Sequence, residues 1–488
     1  MVSNGSRLAH FVAGEWLTPR DEEWNADVNP SDERQVLAQV PQGSADVVKQ
    51  AGQAAHDAFA VWRKKTGTER AEVLYRAASV LAEQRQELGT LVAQEVGKPV
   101  GEAVQEVDRG AMILRYFAGE AVHPLGQVIP AQKAGSLQFS MRQPLGPVGI
   151  ISPWNFPVAI PLWKMAPALA YGNTVVWKPA EVASLTATRL AEVFAKAGLP
   201  GGVLNLVLGK GSAIGNALVS NEAVRAISFT GSNSVGMGIA EIASRRNIKY
   251  QLEMGGKNAA IVLADADISQ AAKLIAAGAM RYAGQKCTAT SRAVVLADVS
   301  GHFVDQLKTE INALPVAPAT DARSAVGPLI TKDALEKVNH YAEIGAQSGQ
   351  VVLGGKRPTH EQLKNGYFFE PTVVINVAPD AAIAQEEIFG PVLVIEQARS
   401  IEEAIAIANN TQYGLSVSLF TRDINAMLEY IQDIDCGMVR VNGDTTGVDP
   451  HAPFGGMRSS SSHSREQGTA AIEFFTETKT VQINAAGA

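Results

Sequence analysis

From residue 145 to 262 short apolar runs alternate with helical stretches about ten residues long, and nothing else in the chain restricts the fold as much. The runs 148–151, 174–177, 203–207, 226–229 and 258–262 are too short for helices and read as strands. Between them 161–170, 186–197, 213–219 and 235–242 carry helical patterning. Such alternation produces parallel sheets, because parallel neighbours need a long crossover, usually a helix. A second series runs from 268 to about 440 and includes apolar runs at 293–296, 372–375, 392–395 and 438–441. A chain of 488 residues exceeds what one core normally organises. The expectation is an α/β fold with two doubly wound parallel sheets, divided near the glycine pair at 253–257.

The flanking segments read differently. Residues 45–62, 68–96 and 101–118 are predicted helices; Val73, Leu74, Ala77, Val80 and Leu81 recur at helical spacing, and Gly97 and Pro99 stop the second helix. Pro124, Gly126, Pro130 and Gly135 break the pattern, and 137–142 reads as a strand. The tail, 474–483, reads as another strand that could pair with it in a small separate sheet suited to subunit contact.

Composition excludes several functions. A net charge of −7 and a pI near 5.7 leave no basic stripe for nucleic acid. No run of about 20 apolar residues exists to span a membrane. The start, MVSNGSRLAHFVAGEW, lacks a signal-peptide layout, and two cysteines, Cys287 and Cys436, make no disulfide framework. The expected location is the cytoplasm. There is no internal repeat, and Ser459–Ser462 is the only low-complexity patch.

Several short motifs offer chemistry. GQKCTATSR places Cys287 in a polar stretch, where a structural thiol is unusual and a nucleophile is plausible. FTGSNSVG follows a strand with Gly231 and has Gly236 opening a helix, a place for a phosphate; LGKGSAIG offers Gly209, Gly211 and Gly215 in a looser pattern. Either is also an ordinary turn. WKPAE ends a strand with Lys178 and Glu181, which form either a surface ion pair or a grip on ribose hydroxyls. Pro153 and Pro157 bracket Trp154 and Asn155, whose amide serves either the turn or an oxyanion. Glu253, ending an apolar strand in LEMGGKN, is a candidate general base, and Glu387 in EEIFGPV is either a solvated acid or a ligand group. No cysteine–histidine signature, CxxC or HExxH is present; His451 reads as a loop residue and Cys436 as a buried structural thiol.

Taken together and in order, PWNFP, KPAE, FTGSNSVG, LEMGGKN, GQKC, EEIFGPV and PFGG resemble the NAD(P)-dependent aldehyde dehydrogenase superfamily over roughly residues 10–483. The spacing between Glu253 and Cys287 is also similar to the family's. The resemblance implies a Cys287 nucleophile, an oxyanion held by Asn155 and a backbone N–H, and a water activated by Glu253. It implies that Lys178 and Glu181 contact the adenosine ribose, Gly231 and Ser232 the pyrophosphate region, and Glu387 the nicotinamide ribose. Ser152, Pro153, Trp154, Gly211, Phe229, Gly256 and Phe389 complete the implied cofactor contacts. Arg281 stands where the family lines its substrate channel, as a fork for a carboxylate or sulfonate or as a surface residue ending the 271–280 helix. Trp163, Phe156, Thr288 and Phe454 are the other implied substrate contacts.

The implied cofactor is NAD+ or NADP+, with Glu181 favouring the free 2′-hydroxyl of NAD+, and no metal. The implied division is 1–122 with 144–253 for the cofactor, 254–455 for catalysis, and 123–143 with 470–488 as oligomerisation strands of a homodimer or homotetramer. IPLWKMAPALAYGN, GQKCTATSR and DPHAPFGG with SSSHSREQG are most similar to the 2-oxoglutarate semialdehyde (2,5-dioxopentanoate) dehydrogenase branch. Succinic semialdehyde and sulfolactaldehyde are alternative small anionic substrates. After PFGG the commoner pattern has lysine and then serine-glycine; here Arg458 and the serine run stand instead.

Overall fold

Two seven-stranded sheets dominate the computed structural model, which describes residues 5–19, 23–123 and 126–485. Pro124 lies outside the described residues, as do the extreme ends of the expected 1–122 and 470–488 ranges. The first sheet runs, in spatial order, Lys249–Glu253, Ala226–Thr230, Pro147–Ile151, Thr174–Lys178, Leu204–Leu206, His10–Val12 and Glu15–Leu17. Its first five strands are parallel and the last two antiparallel. The chain enters at Pro147–Ile151, builds outward on one side, then returns to add Ala226–Thr230 on the other. The strand order therefore reverses between these two strands, where open α/β sheets bind ligands at their carboxyl ends.

The second sheet runs Gln350–Leu353, Thr372–Ile375, Val392–Ala398, Thr290–Leu296, Asn258–Val262, Ser416–Phe420 and Met438–Val441, parallel except for its first strand. Thr476–Asn484 pairs antiparallel with Ser136–Pro144 along its whole length in a separate three-stranded sheet, as the tail pattern suggested. Helix Ala159–Ala170 is buried along its whole length, which explains its uniformly apolar sequence broken only by Lys164.

Three local expectations change. Residues 68–96 are two helices, Gly67–Glu83 and Arg85–Val96, because Gln84 leaves helical geometry at φ −94°, ψ 7°. The break turns the second helix onto Val100–Glu120 and Ser184–Lys196, and neither glycine nor proline marks it. Gly97 then ends that second helix in the left-handed region, φ +70°, as expected of a C-terminal glycine. In the tail, Ala471–Phe475 is a short helix burying Phe474 and Phe475, so the strand starts later than the pattern implied. An N-terminal hairpin, Trp24–Asn29 with Asp32–Pro41, has no counterpart in the sequence expectation.

Candidate active site

The loops leaving the carboxyl ends of the first sheet make a cleft of about 670 Å³. Ser152, Lys178, Gly211, Phe229, Gly231 and Ser232 line it. A Cβ built on Gly215 or Gly238 meets nothing within 4 Å, and on Gly211 only the Lys178 side chain at 3.9 Å, so glycine leaves this wall free for a ligand. Helix Asn233–Arg245 starts directly after Ser232, and its free N–H groups suit a phosphate. Gly236 therefore does not open that helix: it lies inside the first turn, where a Cβ would come 2.6 Å from Met254 Sδ. The residues present fit an extended dinucleotide.

Lys178, which lines this cleft, and Glu181, which is not among its lining residues, both have protein partners. Lys178 Nζ donates to the Pro179 carbonyl at 2.9 Å, and burial pushes its pKa down to about 8. Glu181 accepts from the Asn25 amide, a contact from the unforeseen hairpin. No ion pair joins Lys178 to Glu181 among the described residues, so the surface ion-pair alternative is not the arrangement found.

Gly231 and Ser232 also line a second cleft of about 340 Å³, so the two spaces adjoin. Pro153, Trp154, Asn155, Cys287, Glu387 and Phe389 are among its walls. Trp154 stands edge-on to Phe389 at 5.6 Å, and Phe389 reaches it from a positive φ of 58°.

Cys287 is delivered by a strained turn at the amino end of strand Thr290–Leu296. Tyr282, Ala283 and Gly284 all occupy the left-handed region, φ +56°, +51° and +66°. Each non-glycine residue so placed costs on the order of 1 kcal/mol, which its surroundings must offset. Gln285, wholly buried, does so: its amide donates to the Tyr282 and Pro328 carbonyls and accepts from Ile330 N. Asn258 Nδ2 donates to the carbonyls of Cys287 and Ala289 at 2.8 and 2.9 Å.

Asn155 Nδ2 donates to the Gln285 carbonyl at 3.1 Å, which anchors the amide beside the nucleophile loop and leaves its second N–H for a ligand. Burial, then the charges of Glu387 and Glu253, push the Cys287 thiol up to about 12, while the backbone N–H groups of Thr288 and Cys287 act in the opposite sense. Burial therefore favours the neutral thiol of Cys287 over its thiolate.

Two carboxylates flank it. Glu253, 2% exposed, ends strand Lys249–Glu253, and Ser461 donates to its Oε2 while Oε1 has no partner. Burial, with Glu466 adding repulsion, raises its pKa well above the carboxylate range. Glu387 Oε1 accepts from Gly256 N at 3.0 Å, and burial raises this acid too. A Cβ on Gly255 would fall 2.5 Å from Glu387 Oε2, and one on Gly256 2.8 Å from the Cys287 carbonyl, so the glycine pair exists to let three segments meet. Lys257 Nζ and Lys337 Nζ hold the Glu386 and Glu387 carbonyls at 2.7 and 2.9 Å.

On the far side of Cys287, Phe454 packs with Leu415, Met438 and the thiol, and its ring lies 5.3 Å from Trp163. Trp163 Nε1 donates to Glu466 at 2.6 Å. Phe156 faces the Lys98 ammonium, 3.6 Å from its ring centre. Thr288 is buried, its carbonyl accepting from Thr445 Oγ1. Arg281 is exposed at the end of helix Ile268–Met280, near enough to help lower the Glu102 pKa after the larger effect of Lys286. It is not among the residues lining either cleft. Cys436 is buried with its thiol on the Met438 carbonyl, as expected of a structural cysteine.

Gln285, Asn258, Lys257 and the serine run escaped the residue-level reading. Gln285, Asn258 and Lys257 stand inside quoted motifs, but each has a partner far along the chain: Pro328 for Gln285, Cys287 for Asn258 and Glu386 for Lys257.

Residues 16–481 match the model of the aldehyde dehydrogenase family. The chain belongs to that family. Among its relatives, the alpha-ketoglutaric semialdehyde dehydrogenase of Bacillus subtilis is 45% identical, covering 99% of each chain. The alpha-ketoglutarate semialdehyde dehydrogenase of Haloferax volcanii is 39% identical, covering 97% of this chain and 98% of the other. Among solved structures, the NAD-dependent aldehyde dehydrogenase of Sinorhizobium meliloti superposes with a TM-score of 0.96 at 34% identity, covering 100% of this chain and 96% of the other. No helix among the described residues is long and apolar enough to cross a membrane.

Proposed function

We propose that the enzyme oxidises 2-oxoglutarate semialdehyde to 2-oxoglutarate with NAD+ or NADP+, by covalent catalysis at Cys287. The observation that carries this reading is that Cys287 and Asn155 line the cleft adjoining the dinucleotide-sized one, with the charge of a partner-poor Glu253 reaching Cys287. Identity to the Bacillus subtilis relative, 45% over nearly the whole chain, supports the substrate.

The chemistry follows from the residues. The thiol proton passes to solvent as Sγ bonds to the aldehyde carbon. The resulting thiohemiacetal oxyanion is met by the free N–H of Asn155 and the Cys287 backbone N–H. The nicotinamide supplies a hydride acceptor, so the adduct becomes a thioester. Glu253, its basicity raised by burial, then removes a proton from water as the water oxygen attacks the thioester carbon; when the C–S bond breaks that proton passes to the departing sulfur, so the acid leaves with Cys287 restored as a thiol and Glu253 ionised. Glu387, set between Gly255 and Gly256, orients the nicotinamide ribose, and Lys178 with Glu181 the adenosine ribose. Glu181 disfavours a 2′-phosphate by charge, which leans the choice toward NAD+.

Arg281, exposed at its helix end and lining neither cleft, attracts the distal carboxylate by charge, with Trp163, Phe156, Thr288 and Phe454 shaping the pocket. The cofactor unit comprises 1–122 and 144–253, and the catalytic unit 254–455. The enzyme is a cytoplasmic homodimer or homotetramer, formed through the strands within 123–143 and 470–488, which expose Val128, Leu137, Met141 and Ile483.

The test is cofactor reduction at 340 nm with 2-oxoglutarate semialdehyde, succinic semialdehyde, sulfolactaldehyde and propanal, each with NAD+ and NADP+. A kcat/KM at least about tenfold higher for the five-carbon oxo acid, about 1.4 kcal/mol of discrimination, supports the substrate. A preference for propanal overturns it.

A further inference from the structure

The serine run is not a low-complexity patch. Ser460 is wholly buried and Ser461 nearly so, and the run lies along the strand that ends in Glu253. Leu252 N donates to Ser462 Oγ at 2.9 Å, Ser462 N to the Leu252 carbonyl at 2.9 Å, and Met254 N to the Ser460 carbonyl at 2.8 Å. Glu253 and Ser461 therefore face each other as an antiparallel bridge, and the register fixes which serine meets the carboxylate.

The hydroxyl of Ser461 has one proton and is constrained from both sides. Gly456 N donates to Ser461 Oγ at 2.6 Å, which occupies a lone pair and aims the hydroxyl proton at Glu253 Oε2. Both glycines of PFGG are required by this arrangement. A Cβ on Gly455 would come 2.9 Å from Glu253 Oε1, and one on Gly456 2.7 Å from Ser460 Cβ.

We propose that Ser461 is a positioning residue for the general base: its hydroxyl holds the Glu253 carboxylate in one orientation and favours its charged form. This rests on the reading of Glu253 as the base. The physical reason is that a hydrogen bond donated to a carboxylate stabilises the charged form and not the neutral one. Glu253 needs such help. Burial and the facing Glu466 disfavour its charge, whereas Lys164 on the buried helix and Arg465 near Gly455 favour it, and the Cys287 thiol across the site is neutral. Ser461 has the largest of the charge-favouring effects and is the only one that touches the carboxylate among the described residues.

The experiment follows kcat and the burst of reduced cofactor against pH for the wild type, Ser461→Ala, Ser461→Thr and Glu253→Gln. In Ser461→Ala the acid limb of kcat moves up by about one pH unit while the burst persists, and Ser461→Thr restores the wild-type limb. Ser461→Gly, which lacks the hydroxyl and adds no bulk, carries the same expectation should the alanine variant fail to fold. An unmoved limb with kcat lowered equally at every pH would mean a merely structural serine, and so would failure of threonine to restore it. Glu253→Gln separates the two ideas, because normal steady turnover in that variant overturns the base itself rather than its positioning.

Discussion

The two large sheets meet at one site but serve it from opposite ends. The first presents loops from the carboxyl ends of its strands, at Ser152, Lys178 and Gly231. The second presents loops that precede its strands: Gly255–Gly256 before Asn258–Val262, Cys287 before Thr290–Leu296, and Glu387 before Val392–Ala398. The first set is open, and a Cβ on Gly215 or Gly238 would face empty space. The second is dense, with consecutive left-handed residues at 282–284 tied down by Gln285 and Asn258. A cofactor that must enter and leave needs an accessible groove. A nucleophile must be held against local backbone preference, and only many distant contacts can do that.

By this contrast, substitutions in the dense half damage kcat and those in the open half damage cofactor KM. Cys287→Ala is expected to remove dehydrogenation, by about a thousandfold or more, with cofactor binding retained by fluorescence titration. Glu253→Gln should lower steady turnover by about 10²–10³-fold yet leave the burst of reduced cofactor. Because burial raises the Glu253 pKa, wild-type turnover should fall as pH drops through a value above the ordinary carboxylate range. Asn155→Ala should slow the burst itself by about 10²-fold.

Gly211→Val, in the open half, should raise the cofactor KM by about tenfold with kcat nearly unchanged; a matching loss of kcat would break the division between the halves. The smallest effect is expected at the exposed Arg281, where alanine raises KM several-fold for anionic aldehydes and not for propanal. Equal changes for both substrates would remove Arg281 from the recognition of the carboxylate.

The strand–helix alternation after residue 145, the C-terminal stop at Gly97 and the pairing of 137–142 with the tail were all legible. Each is written in neighbours a few residues apart. The break at Gln84 was not, since its cause is the packing of the second helix against Val100–Glu120 and Ser184–Lys196. Lys178 and Glu181 were singled out correctly as residues at a strand end, yet their partners, the Pro179 carbonyl and Asn25, belong to the folded chain. Ser459–Ser462 looked like filler because a run of one residue type carries no period. Its meaning appeared only when the Glu253 strand lay beside it.

By itself the sequence determined the sheet architecture, the glycine turns and the short motifs that hold Cys287, Asn155 and Glu253, because these depend on residue type and short spacing. The tertiary structure decided the charge states. A thiol held near 12 and a carboxylate raised by burial are properties of the surrounding low-dielectric packing, assembled from segments hundreds of residues apart.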